Sequence, residues 1–457
     1  MKHAKWGLLV LAVLSLISPP GVAESETEGA PGDEDKPVPA GKPKDRHSVF
    51  FVVVDAMRAD HLGCYGYQRD TSPTIDRIAR ESVFFEHAYT VAPWTAPAMA
   101  SLFTGRYPYS LFPPETSGRP FERVLPREVE TLAELLSSNG YRAVALSDHI
   151  GIGPRLGHDR GFERWIEIHS RKWSDVAQVR KVLEELGDDT AFVYLHLSHP
   201  HEPYGAPAPY YDMFGPPGDS GRGRDRSKPD GLINRYDGEI RFTDEVLKRI
   251  LEQLEKHGWL ERTYLIVTAD HGEGFFEHER YGHGNHFFDE VLRIPLLIRP
   301  PGGRERQLSV SRRVSNIDLF ATVLDLTGIP SPPNTDSQSL WRHVDGGDTA
   351  SEMPFFAEGV IGGDPLGAAC IWNDYKYIVN KPRPRAEERV EMLFNLDRDP
   401  LELENLALTE KATVRKMRDW LDEHRGRNET LRQGITSDTA DIDPETRERL
   451  KAMGYLE

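Results

Sequence analysis

The strongest apolar signal in the chain is Ser48–Val54 (SVFFVVV), β-branched and aromatic with no polar alternation. Such a run predicts a strand buried on both faces of a parallel sheet, and it ends at Asp55. Similar runs at 141–146, 190–195, 264–268 and 294–298 predict further central strands. Between several of them, residues 132–138, 174–186 and 238–257 place apolar side chains at helical spacing. Alternation of strand and helix predicts an α/β fold with a doubly wound, mostly parallel sheet, whose ligands sit beyond the carboxyl ends of the strands. That rule points to Asp55, to His196, His199 and His201, and to Asp270-His271.

The two ends of the chain read differently. Lys2 and Lys5 precede an apolar stretch from Trp6 to Ile17, which Pro19, Pro20 and Gly21 break before the small-residue step Gly21-Val22-Ala23. Residues 1–23 are expected to be a signal peptide cleaved after Ala23, which makes the mature protein periplasmic or secreted. As a helix the apolar stretch rises about 18 Å, short of the roughly 30 Å hydrocarbon core. An uncleaved anchor is the alternative, and it offers the only membrane proximity. Residues 24–46, mostly Pro, Gly, Glu, Asp and Lys, read as a disordered tether. A catalytic domain is expected over 47–330. A smaller α+β subdomain follows over 331–426, with strands at 370–379 and 391–396 and a helix at 410–424. The tail, 427–457, is irregular up to 443 and ends in a short helix, 444–453.

Composition narrows the function. Asp and Glu number 73 against 56 Lys and Arg, a formal net charge of −17 over 457 residues, so the basic footprint of a nucleic-acid binder is missing. Gly (39) and Pro (34) stay below the roughly one-quarter share that marks low complexity. Cys64 and Cys370 form no CxxC pair and too few bridges for a disulfide framework; they read as two buried apolar side chains.

Asp55 and Asp270-His271, at strand ends, can share one crevice, and two carboxylates with an imidazole suit a divalent cation. Either Asp alone reads equally well as a helix cap. In 92–106 (APWTAPAMASLFTGR), Thr95 reads as an N-cap, Pro97 falls in a first helical turn and Gly105 ends the helix. A hydroxyl at the positive end of a helix either caps it or meets a docked phosphate or sulfate. Spacing alone does not choose.

The blocks Asp55-Ala56-Met57-Arg58-Ala59-Asp60-His61, Thr95 to Arg106, Thr268-Ala269-Asp270-His271-Gly272-Glu273, His283-Gly284 and 288–296 (FDEVLRIPL) stand in an order that resembles the sulfatase family of the alkaline phosphatase superfamily. The segment 393–400 (LFNLDRDP) with Glu404-Asn405-Leu406 is similar to that family's small C-terminal subdomain. Two departures bear on mechanism. Sulfatases carry Cys or Ser in a Cys/Ser-x-Pro-x-Arg stretch that is oxidised to formylglycine; here it reads Thr95-Ala96-Pro97-Ala98-Met99. The extra methyl on Cβ of threonine bars the aldehyde. Thr at this position resembles the phosphoryl-transferring members of the superfamily. The usual paired Asp after the first strand is Asp55-Ala56 here.

The resemblance implies one divalent metal ion, Mn²⁺ or Zn²⁺ with Ca²⁺ as the alternative, on Asp55, Thr95, Asp270 and His271. Thr95 is the expected nucleophile of a metal-dependent hydrolase or transferase of phosphate or sulfate esters, working through a phosphothreonine. His201 and His283 match positions that contact the anion or protonate the leaving group, while His196 and His199 are even between site and core. Leu197, where two-metal relatives have Asp, argues against a second ion. Lys376 is a candidate for the missing positive charge, against a solvated strand lysine. A sulfuric ester hydrolase and a non-catalytic binding protein on a degenerate scaffold, for which Ala56 and Met99 speak, are the alternatives. The substrate is expected to be a small-molecule, lipid-headgroup or carbohydrate ester, with 207–229 and Tyr210-Tyr211 shaping the mouth of the pocket.

Overall fold

The computed structural model describes residues 46–112, 122–169, 174–218, 229–344, 353–361, 364–380, 390–436 and 438–452. The expected signal peptide and the tether up to residue 45 lie outside the described residues, as do 219–228 of the loop at 207–229. The first part of the chain runs β1 (Ser48–Val54), α1 (Pro73–Arg80), β2 (Val83–Tyr89), α2 (Thr95–Thr104), α3 (Pro108–Leu111), α4 (Leu132–Ser138), β3 (Arg142–Ser147), β4 (Arg164–Glu167), α5 (Ser174–Leu186) and β5 (Ala191–Leu197). Then come α6 (Asp230–Lys256), β6 (Thr263–Ala269), the short β7 (Gly274–Phe275) and β8 (Tyr281–Gly282), α7 (Asp289–Leu292), β9 (Arg293–Ile294), β10 (Leu296–Arg299), β11 (Leu308–Ser315) and α8 (Leu319–Leu326). The last part holds β12 (Phe355–Ile361), β13 (Asp364–Trp372), β14 (Tyr375–Asn380), β15 (Val390–Asn395), α9 (Lys411–Leu431) and α10 (Pro444–Ala452).

One nine-stranded sheet has the order β11-β2-β10-β6-β1-β5-β3-β4, with β9 beside β2. β6, β1, β5, β3 and β4 are mutually parallel, whereas β10 runs antiparallel to both β6 and β2. Every residue of β1 is buried, as an unbroken apolar strand at the centre of a covered sheet should be. Truncating one of its rings, as in Phe51→Ala, would cost about 3–5 kcal/mol.

The second sheet, β12-β13-β14-β15, is antiparallel and packs Tyr377 and Leu393 with Val414, Met417 and Leu421 of α9. Beyond α9, the amide of Val124 donates to the Asp438 carbonyl (3.1 Å) and that of Ala440 to the Glu122 carbonyl (2.6 Å). Leu450 of α10 is buried with Trp94 and Ala96. Among the described residues no helix is long and apolar enough to cross a membrane. Both cysteines are free, Cys64 half-buried and Cys370 buried.

Four elements differ from the expectation. The helix expected from 238 begins at Asp230; Gly238 lies inside it because a Cβ there would come within 2.3 Å of the Tyr210 carbonyl oxygen. Pro295, which has no N–H for a ladder, splits 294–298 into β9 and β10. The single strand expected at 370–379 is a hairpin, turned at Asn373 in the left-handed conformation (φ 49°). α9 runs past 424 to Leu431, because Asn428 is buried and donates to Glu358 (2.8 Å), beside the His424–Glu358 pair at 2.7 Å.

Candidate active site

Register brings the acids together. β1 lies between β5 and β6, with Val54 opposite both Leu197 and Ala269, so Asp55 and Asp270 leave neighbouring strands side by side. Ser147 at the end of β3 pairs with His196, which places Asp148-His149 at the same edge. Ala56 takes a left-handed backbone (φ 56°), and its amide donates to Asp270 Oδ1 (3.1 Å), as does the amide of His271 (2.8 Å). Asp270 Oδ2, both oxygens of Asp55 and Nε2 of His196 are buried without a hydrogen-bond partner. One ligand atom each from Asp55, His196 and Asp270 falls within 4.8 Å of the others. Buried polar atoms left unpaired at one point are costly unless something else satisfies them, and carboxylate oxygens with an imidazole nitrogen are the donor set of a divalent cation.

Thr95 is not the N-cap of α2. Trp94, extended at φ −164° and ψ 162°, takes that position, and the threonine is the first helical residue. Its hydroxyl is thus free of capping and lies 3.1 Å from His271 Nε2. His271 Nδ1 is 2.8 Å from the Gly272 carbonyl, so the proton sits on Nδ1 and Nε2 accepts from Thr95. The same Nε2 is 3.5 Å from Asp55 Oδ1 and 3.5 Å from Asp270 Oδ2. Asp55, Thr95, Asp270 and His271, expected as metal ligands, are brought together around one point. Gly105 ends α2 in the left-handed conformation (φ 65°), as expected.

His201 and His283 come to the same place. Their ring centres are 4.8 Å apart, and that of His283 is 4.3 Å from His271. His201 Nδ1 donates to the Glu202 carbonyl (2.5 Å), and His283 Nδ1 is held by Glu273 Oε1 (3.0 Å), whose other oxygen accepts from Tyr204 (3.1 Å). His199 goes elsewhere: its Nδ1 is 2.8 Å from Glu239 on α6. Lys376 is neither solvated nor directed to this cluster. It is fully buried, with Nζ 2.5 Å from Asp289 and 2.6 Å from Glu402. His149, absent from the expected set, brings Nε2 to 3.2 Å from Asp55 Oδ2. The strand-end rule applied to 141–146 would have found it.

Burial keeps the imidazoles neutral, pushing His271 and His283 down to about 4 and His196 to about 3. Burial, and then the Asp270 charge, push the Asp55 carboxyl well up. Burial also works to raise Asp270, but His271 and His196 hold it down to about 2. Beside α2, a narrow cleft is lined by Trp94, Ala96, Pro97, Phe112, Arg123, Leu156 and His158.

A sequence profile of the Sulfatase family matches residues 47–329. The chain is 25% identical over 406 residues to the ulvan-active sulfatase of Formosa agariphila, across 79% of this chain and 76% of that protein. Among solved structures it is similar to a 2-O GAG sulfatase (TM-score 0.69, 21% identity, 88% of this chain and 96% of that one). It is also similar to the phosphonate monoester hydrolase of Agrobacterium radiobacter (TM-score 0.66, 20% identity, 84% and 96%). At such identities the two structures speak for the fold alone. The profile spans the sheet and every strand-end residue described above, and on that match the chain belongs to the Sulfatase family of ester hydrolases.

Proposed function

We propose that the protein is a metal-dependent hydrolase of phosphate-type esters whose nucleophile is Thr95 Oγ1. The observation that carries this reading is the threonine hydroxyl, uncapped and 3.1 Å from His271 Nε2, beside two carboxylates with unpaired oxygens. A divalent cation would be held by Asp55 and Asp270, which with His196 form a group of metal-ligand spacing, and by His271 and Thr95, which lie beside them; oxygen and imidazole donors suit Mn²⁺ or Zn²⁺. Bound there, it would lower the pKa of the hydroxyl and offset charge on the transferred group.

The residues supply the rest. The ionised Thr95 oxygen attacks phosphorus in line, the bond to the leaving alcohol breaks, and the phosphoryl group rests on Thr95. The proton that Thr95 gives up passes to the neutral imidazole of His201 or His283, which face the same point, and from there to the departing alkoxide. The free N–H groups at the start of α2 meet the anionic oxygens. Water then attacks the phosphothreonine and restores the hydroxyl.

Sulfate ester hydrolysis is the second reading, favoured by the name of the Formosa agariphila relative, which also favours a carbohydrate ester as substrate. Threonine opposes the formylglycine route to it. Side-by-side rates on 4-nitrophenyl phosphate, bis(4-nitrophenyl) phosphate and 4-nitrophenyl sulfate, each with Zn²⁺, Mn²⁺ and Ca²⁺, separate the two. A phosphoryl adduct on the Thr95 peptide after quenching is the expected result; turnover of the sulfate alone would overturn the first reading. No metal uptake and no turnover would leave the binding-protein alternative. Export belongs to the same proposal, and the N-terminal residue of the protein purified from its native host tests cleavage after Ala23.

A further inference from the structure

His196 carries a second observation that the ligand set expected from the sequence does not use. Its Nε2 is buried and unpaired toward Asp55 and Asp270, while its Nδ1 lies 2.7 Å from the hydroxyl of Tyr194. A neutral imidazole offers one lone pair and one N–H, so the partner of Nδ1 decides which nitrogen can bind a cation. The Tyr194 hydroxyl has one proton and a second neighbour, Met99 Sδ at 3.9 Å. A thioether only accepts. If the phenol donates to sulfur, its oxygen is left to accept Nδ1–H, and the lone pair of Nε2 points at the carboxylates. In the opposite arrangement an Nε2–H would be buried with no acceptor in hydrogen-bond geometry, at a cost of about 1–3 kcal/mol.

Met99 is the position at which the sulfatase pattern has arginine, a side chain with five donors and no acceptor. It stands one helical turn after Thr95 on α2, so the helix that presents the nucleophile also carries the sulfur. Phe51 and Phe103, with ring centres 6.3 and 5.0 Å from Tyr194, hold the phenol in place.

We propose that Met99 and Tyr194 are positioning residues that fix His196 as its Nδ1–H tautomer and thereby make His196 Nε2 a ligand, with Asp55 and Asp270, for a divalent cation. This rests on the metal-dependent reading above. The threonine at 95 and the methionine at 99 are then two halves of one departure: losing the arginine supplies the acceptor that orients an extra imidazole.

The test uses the full-length chain and Zn²⁺ itself, in competition with a chromogenic chelator. Tyr194→Phe should weaken Zn²⁺ binding roughly 10- to 100-fold, the usual cost of losing an outer partner of a metal-binding histidine. Met99→Leu, which keeps the volume and removes the acceptor, should weaken it less. Met99→Gln, which restores an acceptor on a chain of similar length, should recover much of that loss; equal losses in the two would overturn the role of Met99.

The tautomer is read directly from long-range ¹⁵N–¹H correlations of metal-free, histidine-labelled protein, with His196 assigned from its disappearance in His196→Gln. Protonated Nδ1 in the wild type is the expected result. Protonated Nε2 there, or unchanged Zn²⁺ affinity in a folded Tyr194→Phe, would overturn the inference while leaving Thr95 chemistry intact. If Tyr194→Phe fails to fold, Met99→Leu and the wild-type tautomer decide. A wild type that takes up no Zn²⁺, Mn²⁺ or Ca²⁺ would overturn the metal-dependent reading and this inference together.

Discussion

Two of the buried charge clusters among the described residues are treated in opposite ways. At the carboxyl ends of β1 and β6, Asp55 and Asp270 keep oxygens that accept no hydrogen bond. Beneath the second sheet, Lys376 on β14 meets Asp289 and Glu402, and Glu402 Oε2 also accepts from the Asp289 amide (2.6 Å). The first cluster offers carboxylate oxygens and an imidazole nitrogen that a cation could take. The second supplies its own counter-charge and ties the second sheet to α7. Burying charge costs several kcal/mol per ion, so it marks a functional site where the partner is missing and a structural joint where the partner is present.

The comparison can be broken most sharply at Thr95. Thr95→Ala should lower turnover by at least ~10³-fold, or about 4 kcal/mol of transition-state stabilisation, while the fold loses only about 1 kcal/mol with one hydrogen bond. Thr95→Ser should keep measurable activity. Steady-state rates and urea unfolding on the same samples check both, and equal loss in the two variants would remove Thr95 as the nucleophile.

At the joint the effect should fall on stability instead. Lys376→Met leaves the buried Glu402 carboxyl beside the half-buried Asp289 without a cation and is expected to cost about 3–5 kcal/mol in urea unfolding. Adding Asp289→Asn and Glu402→Gln should return a large part of it.

The joint should also sense pH. Burial pushes the Glu402 carboxyl up to about 8. A carboxyl whose pKa is raised on folding binds its proton more tightly in the native state, so stability falls as pH rises between the unfolded and folded values. From pH 6 to 8 the wild type should lose about 2 kcal/mol more than Glu402→Gln, measured by unfolding at each pH.

The smallest effect has the opposite sign. Asp55→Asn relieves the repulsion between the Asp55 and Asp270 carboxyls, so the metal-free protein should gain about 1 kcal/mol while Zn²⁺ uptake falls steeply. Destabilisation by this substitution without metal would mean that the site is self-sufficient, like the joint.

Much of the sheet was legible because its central strands are buried on both faces and leave an apolar run without a period. α4 and α5 were legible from their amphipathic spacing. β2 and β11 were not: Glu86 and His87 interrupt the one, and the other is a half-exposed edge with a bulge between Val310 and Arg313. The hairpin at Asn373 was hidden inside an apolar stretch whose reversal depends on one residue at positive φ.

The acids, His271 and His201 could be placed from their strand ends, and His283 from the resemblance. His149 stands two residues past β3 and was missed although the same rule covers it. Lys376 could not be placed because its partners are distant in sequence, Asp289 on α7 and Glu402 in a loop with φ 56°. Pairing between such distant side chains has no local signature.

Leu450 is fully buried against Trp94 and Ala96, the residues on either side of Thr95. A ribosome must therefore have passed codon 450 before the flanks of Thr95 are covered. A product terminated early, before α10, would keep the acids of β1 and β6 yet leave the indole of Trp94 bare.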